Sequence, residues 1–184
     1  MSFSLNSQAI IFGCAGLELE CREKLFFKES RPVGFILFKP NCESPKQIRY
    51  LVHQLRDCIE DDRAPILIDQ EGGRVQRLCP PNWQRYLSAA SLVKKAGMKG
   101  RENLFEALEL NARLIAYDLN TIGITVNCSP VVDVPVKGAD PIISDRAFSQ
   151  FANEVQKFGR TTCIGYLKGG VIPIIKHIPG HGRA

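Results

Sequence analysis

The sequence predicts an α/β protein, a TIM (β/α)8 barrel of which about the first five βα units are present. Two observations predict it. Short continuous apolar runs recur along the chain at AIIFG (9–13), VGFILF (33–38), PILID (65–69), ITVNC (124–128) and VIPIIKH (171–177), with turns and helical patterns between them. Such runs mark parallel strands covered on both faces. The polar motifs DQEGG, NCSPVVD and KHIPGHG all fall at the C-terminal ends of those strands. An open doubly wound sheet gathers ligands at one switch point, whereas a barrel builds its site from several strand ends.

The helices between the strands carry their own boundary signals. Ser44 followed by Pro45 is an N-cap and first-turn pair that launches QIRYLVHQLRDCIEDD. Proline suits the first helical position, where its missing N–H would be unpaired anyway. From Arg101 a longer helix sets Leu104, Leu108, Ala112, Ile115, Leu119 and Ile122 along one stripe, until Gly123 stops it. A third helix is expected over roughly 150–168, ending at Gly169-Gly170. No internal repeat or linker divides the chain, so residues 1–184 read as the N-terminal part of a single barrel domain.

Composition narrows the function classes. The 184 residues are 45% hydrophobic and 23% charged, enough to bury a core without metal or disulfide staples. The net charge of +5 is scattered among 19 acidic residues with no basic stripe, so no nucleic-acid partner is expected. Seven cysteines with no CxxC spacing, mostly inside apolar runs, read as reduced and mostly buried thiols. The opening MSFSLNSQAIIFG has neither a basic n-region nor a long apolar stretch, and no run approaches a membrane span. A cytoplasmic location is therefore expected.

Asp69, the last strand residue before Gln70-Glu71-Gly72-Gly73, points into a barrel mouth and can accept paired hydroxyl hydrogen bonds from a sugar. Arg77 can reach the same ligand from the following loop; the alternative is an Asp that caps the next helix beside a surface Arg. Asp133 reads first as a turn former, pairing with Arg146 or capping backbone amides. Arg146 is a ligand candidate, because its planar donor fork suits carbonyls, carboxylates and hydroxyls. Lys176 and His177 are adjacent, and regular strand geometry sends neighbouring side chains to opposite faces. Both reach the mouth only at a frayed strand end. His177 and His181 lie four apart, but Pro179 and Gly180 exclude a helix and no third ligand is evident, so no metal is expected. His53 reads as a bystander on a surface helix.

IDQEGGRVQRL, NCSPVVDV, ISDRAFS and KHIPGHGR, in this order, resemble the family 3 glycoside hydrolases of the bacterial cytoplasmic β-N-acetylhexosaminidase type, and the resemblance spans essentially the whole chain. It implies a TIM barrel without cofactor or metal, acting on the small-molecule carbohydrate of GlcNAc-1,6-anhydro-muramoyl muropeptides during peptidoglycan recycling. Asp69 would hold sugar hydroxyls at the non-reducing end, and Arg77, Arg146, Lys176 and His177 would complete a GlcNAc pocket. The family is retaining, forming and then hydrolysing a covalent glycosyl-enzyme. Its acid/base is a histidine oriented by an Asp in a loop beyond the KHxPGHG segment, and its nucleophilic Asp lies later still. No catalytic residue is therefore expected within these 184 residues, His181 included, and the chain alone is expected to be inactive. The alternatives are a truncated remnant that binds sugar weakly, or a family 3 β-glucosidase. An open five-stranded sheet is also expected to expose a strand edge and apolar surface.

Overall fold

The computed structural model describes residues 7–138 and 140–181. In chain order these form β1 (Gln8–Phe12), α1 (Cys21–Ser30), β2 (Pro32–Leu37), α2 (Pro45–Cys58), β3 (Ile66–Ile68), β4 (Gln70–Gly72), β5 (Val75–Gln76), α3 (Ala89–Gly97), α4 (Arg101–Asn120), β6 (Val126–Asn127), α5 (Ala152–Lys168) and β7 (Ile172–Pro173).

All five expected strands form, and they pair in parallel in the order β1-β2-β3-β6-β7. Each successive parallel strand joins the same growing edge. The order never reverses, so there is no switch point, and the sheet is the wall of a barrel rather than a doubly wound sheet. Among the described residues β1 and β7 do not pair and the sheet does not close. Its two borders leave Ile10, Ile11, Ile172, Ile174 and Ile175 exposed, as expected for an open sheet.

The outer face of the sheet carries the core. Phe35, Leu37, Ile66 and Ile68 are fully buried against Ile48, Leu51 and Leu55 of α2 and Ala112, Ile115 and Leu119 of α4. Ser44 caps α2, accepting a hydrogen bond from Gln47 N at 3.2 Å. The stripe expected on α4 is buried along its whole length, and Gly123 turns the chain with φ +83°. The third expected helix is α5, beginning two residues later than anticipated.

The strands closing the sheet are shorter than their apolar runs. In the last run Ile172 N and Ile174 N donate to the Thr125 and Asn127 carbonyls on either side of Pro173, whose missing N–H falls on the open border, and Lys176 bridges on to Val131. Three elements lie outside the helices and strands expected from the sequence, although Ala89, Leu92, Val93 and Ala96 of α3 do follow a helical spacing and pack on Leu104, Leu108 and Phe158. In α1 only Phe27 is buried, α3 buries nothing fully, and the β4-β5 hairpin depends on Gly72 and Gly73 at positive φ. The seven thiols are unpaired, but they are half-buried, with Cys21 exposed, rather than mostly buried. Cys14, Cys42 and Cys58 pack, partly buried, against the main core. Burial pushes the thiols of Cys14 up to about 11 and Cys42 up to about 12. Among the described residues no helix is long and apolar enough to cross a membrane.

Helices α4 and α5 meet across Gly165, where an added Cβ would lie 2.5 Å from the Glu109 carbonyl oxygen and 2.7 Å from Ala112 Cβ. Both obstacles belong to backbone or to a Cβ and cannot swing aside. Gly165→Ala is expected to lower stability by about 2 kcal/mol through overpacking, read as a lower urea midpoint with unchanged m-value.

Candidate functional site

A neutral frame positions the charged groups. Gln70, at the start of β4, is fully buried, and Asn127 of β6 clamps its backbone: Gln70 N donates to Asn127 Oδ1 at 3.0 Å, and Asn127 Nδ2 donates to Gln70 O at 2.9 Å. The Gln70 side chain then accepts from the amides of Arg77 and Leu78 at 2.9 and 3.1 Å. Gln76 extends the same scheme, donating to the carbonyls of Leu78 and Gln84 and accepting from Tyr86 N. The DQEGGRVQR segment is thus a hairpin whose buried glutamines replace ladder hydrogen bonds it is too short to make.

On this frame five elements converge. Asp69 projects from the residue after β3, Glu71 from β4, Arg77 from the residue after β5, Arg146 from the short 3-10 turn Ser144–Arg146, and Lys176 and His177 from the chain continuing β7. Asp69 accepts from Arg77 at 3.1 Å and from Lys176 Nζ at 2.8 Å. Lys176 Nζ also lies 2.5 Å from Glu71 Oε1. Arg146 grips Glu71 with a two-pronged fork, Nε to Oε2 and Nη2 to Oε1, each 2.9 Å. The charges therefore alternate in a row, Arg77, Asp69, Lys176, Glu71, Arg146. Arg74 braces the turn behind Arg146, meeting Asp145 at 3.1 Å and the Ile142 carbonyl at 2.5 Å.

His177 continues the row. Its Nδ1 lies 2.6 Å from Asp133 Oδ2 and its Nε2 lies 3.4 Å from Arg146 Nη2. A carboxylate only accepts and a guanidinium only donates, so the ring carries its hydrogen on Nδ1 and presents Nε2 as acceptor. Asp133 also caps the backbone N–H of His181 at 2.8 Å. The expected capping role of Asp133 thus holds, but its side-chain partner is His177 rather than Arg146, whose fork Glu71 already occupies.

All five sequence candidates, Asp69, Arg77, Arg146, Lys176 and His177, meet in this cluster. Lys176 and His177 both reach it from the irregular chain beyond β7. Glu71 was not singled out by the sequence reading. Its spacing from Asp69 was the available signal, since residues two apart on an extended chain share a face. Arg146 and Glu71 are nearly buried, with side chains 9% and 7% exposed, whereas Arg77 and His177 retain 27% and 28%. The exposed members can reach a ligand; of the buried pair, Arg146 lies against His177, and Arg77 is held by Asp69.

Burial pushes the Asp69 carboxyl up, but hydrogen bonds and charge from Lys176, then Arg77, outweigh it and hold the group below the usual range. Cys128 is pushed up to about 11 by burial and by Asp69, so its thiol stays protonated beside the cluster. Among the described residues no trio of His, Cys, Asp or Glu is arranged to hold a metal ion. His181 offers only its backbone to Asp133, its ring standing edge-on 5.0 Å from that of His177. His53 pairs with Asp57 on the exposed face of α2, far along the chain from the site.

Residues 20–184 match the Glycosyl hydrolase family 3 N terminal domain. The chain is 34% identical over 172 residues to a Beta-hexosaminidase of Methylococcus capsulatus, covering 94% of this chain and 49% of that protein. It is also 34% identical over 189 residues to a Beta-hexosaminidase of Hydrogenovibrio crunogenus, with 97% and 50% covered. Crystalline NagZ from Neisseria gonorrhoeae, in complex with N-trifluoroacetyl-D-glucosamine, superposes with a TM-score of 0.87 at 26% identity, covering 96% of this chain and 51% of that one. A family 3 β-N-acetylglucosaminidase from Paenibacillus sp. str. FPU-7 gives 0.83 at 29% identity, with 98% and 34% covered. The chain spans about half the length of the curated relatives it matches. A domain match over nearly the whole chain, joined to a barrel wall carrying its polar groups at the strand ends, makes this chain a member of glycosyl hydrolase family 3.

Proposed function

We propose that this chain supplies the GlcNAc-recognising wall of a retaining β-N-acetylhexosaminidase. Its substrate is a GlcNAc-1,6-anhydro-muramoyl muropeptide, cleaved in the cytoplasm during peptidoglycan recycling. The observation that carries the reading is Asp69, a carboxylate held charged at a strand end, with Lys176 and Arg77 beside it as donors. A hydroxyl-rich sugar needs such an acceptor flanked by donors, so one hydroxyl can donate to Asp69 while its neighbours accept from the cations. The remaining N–H groups of Arg77 and Lys176, with the partly exposed His177 ring beside them, extend the polar edge toward the N-acetyl group. The names of the relatives, beta-hexosaminidase, and the N-trifluoroacetyl-D-glucosamine bound to gonococcal NagZ support the choice of sugar.

Retaining hydrolysis needs a free carboxylate to attack the anomeric carbon and a group able to give and take the leaving-group proton. Asp69 is engaged by two cations and favoured in its charged form, which suits recognition and not proton donation. Both oxygens of Glu71 are taken by Arg146, and Asp133 is taken by His177 and the His181 amide. The reading therefore assigns no catalytic residue within residues 1–184 and places the nucleophile and the acid/base elsewhere in the assembled enzyme.

In an NMR titration the 184-residue chain is expected to bind methyl β-GlcNAc glycoside. Asp69→Ala should weaken binding by about tenfold or more, the worth of a charge-assisted hydrogen bond. The same preparation should release no chromophore from a chromogenic GlcNAc glycoside; release that Asp69→Ala abolishes would overturn the assignment of chemistry elsewhere. The depressed Asp69 carboxyl also makes a stability prediction. Its folded-state value lies below the ordinary 3.8, so the unfolded chain takes up the proton first. The contribution is complete above about pH 3.8 and is lost as pH falls through the folded value. Asp69→Asn should remove that part of the acid-side slope in urea midpoints measured against pH. Glu71→Gln keeps the shape but leaves Arg146 and Lys176 without their shared partner, and should cost about 3 kcal/mol in urea unfolding.

A further inference from the structure

The cluster described above offers only charged and polar groups, whereas a pyranose is polar at its hydroxyl edge and apolar across its C–H faces. Sites for such ligands join a few placed polar groups to an apolar or aromatic surface. Phe38 is the aromatic residue that the strand register brings to that position. Leu37, the last residue of β2, pairs with Ile68, the last residue of β3. Phe38 and Asp69 are the next residues on the two adjacent parallel strands. Leu37 and Ile68 are fully buried on the helix side of the sheet, and side chains alternate along a strand. Phe38 therefore faces the barrel lumen on the same rung as Asp69.

Four further observations show that the ring is held there rather than left over. The Arg77 guanidinium that donates to Asp69 also lies over the Phe38 ring, its carbon 5.8 Å from the centroid. The Arg77 Nε is buried and finds no hydrogen-bond partner among the described residues, which suits an N–H beside an aromatic surface. The Phe38 amide donates to Asn41 Oδ1 at 2.8 Å, and Asn41, itself buried, donates to the carbonyls of Cys14 and Gly16. Beyond β1, Gly13 places no side chain on the ring, where even a Cβ would come within 3.6 Å. Phe38 is left 41% exposed on an otherwise fixed backbone.

We propose that Phe38 is the apolar platform of the sugar site: a C–H face of the hexosamine ring packs on it while Asp69 and Arg77 take the hydroxyls. This rests on the reading that the site binds a hexosamine. The test is an NMR titration of the 184-residue chain with methyl β-GlcNAc glycoside, comparing wild type, Phe38→Ala, Phe38→Tyr and Asp69→Ala. Phe38→Ala should raise Kd about tenfold, and Phe38→Tyr should stay within about twofold of wild type, since either ring offers the same face. Wild type should show intermolecular NOEs from the Phe38 ring protons to sugar C–H protons. Should Phe38→Ala not fold, Phe38→Leu replaces it, with weaker binding expected, and the NOEs decide independently. Wild-type affinity in Phe38→Ala, together with lost binding in Asp69→Ala, overturns the platform and leaves the sugar site standing. No binding by the wild type overturns both.

Discussion

The ammonium of Lys176 lies between two carboxylates that could not otherwise share one mouth. Asp69 and Glu71 are two residues apart, on the same face of an extended chain, and their like charges would repel in a half-dry setting. Lys176 spans them, Arg77 and Arg146 close the two flanks, and every member of the row meets an opposite charge. Alternation of this kind adds little net stability, because desolvation consumes much of the attraction. What it supplies is geometry. Each donor and acceptor is aimed before a ligand arrives, so little ordering cost is left for the binding event.

The fold was readable in the sequence wherever a period or a punctuation residue carried it. The five apolar runs became the five parallel strands, and the α4 stripe and the Ser44 cap lie where their spacing puts them. The order of the strands, which separates a barrel wall from a doubly wound sheet, follows from register and could only be guessed from where the polar motifs fall. Helix α1 escaped notice because Leu25, Phe26 and Phe27 run consecutively, without the three-and-four spacing that marks a buried face. The hairpin escaped because its strands are two and three residues long and its stability comes from buried glutamine side chains.

The site followed the same division. Asp69, Arg77, Arg146, Lys176 and His177 were identifiable because polar residues at strand ends invite attention. Glu71 was signalled only by its two-residue spacing from Asp69, and the partner of Asp133 not at all, because the choice between Arg146 and His177 depends on which carboxylate occupies the guanidinium. That outcome is set by the hairpin, and local sequence carries no trace of it. The chain belongs to glycosyl hydrolase family 3 and spans about half the length of its relatives, and among the described residues its sheet has two unpaired borders.

The reciprocal amide clasp between Gln70 and Asn127 is uncharged at every pH, and both residues are fully buried. Protons and salt ions act on charges and scarcely on neutral amides. The molecule thus separates two duties between two materials: an electrically silent scaffold that positions the strand ends, and an ionic lining that the medium can reach. Acidity or brine acts first on the lining, where protonating Asp69 also costs folding stability, and leaves the amide clasp beneath it uncharged.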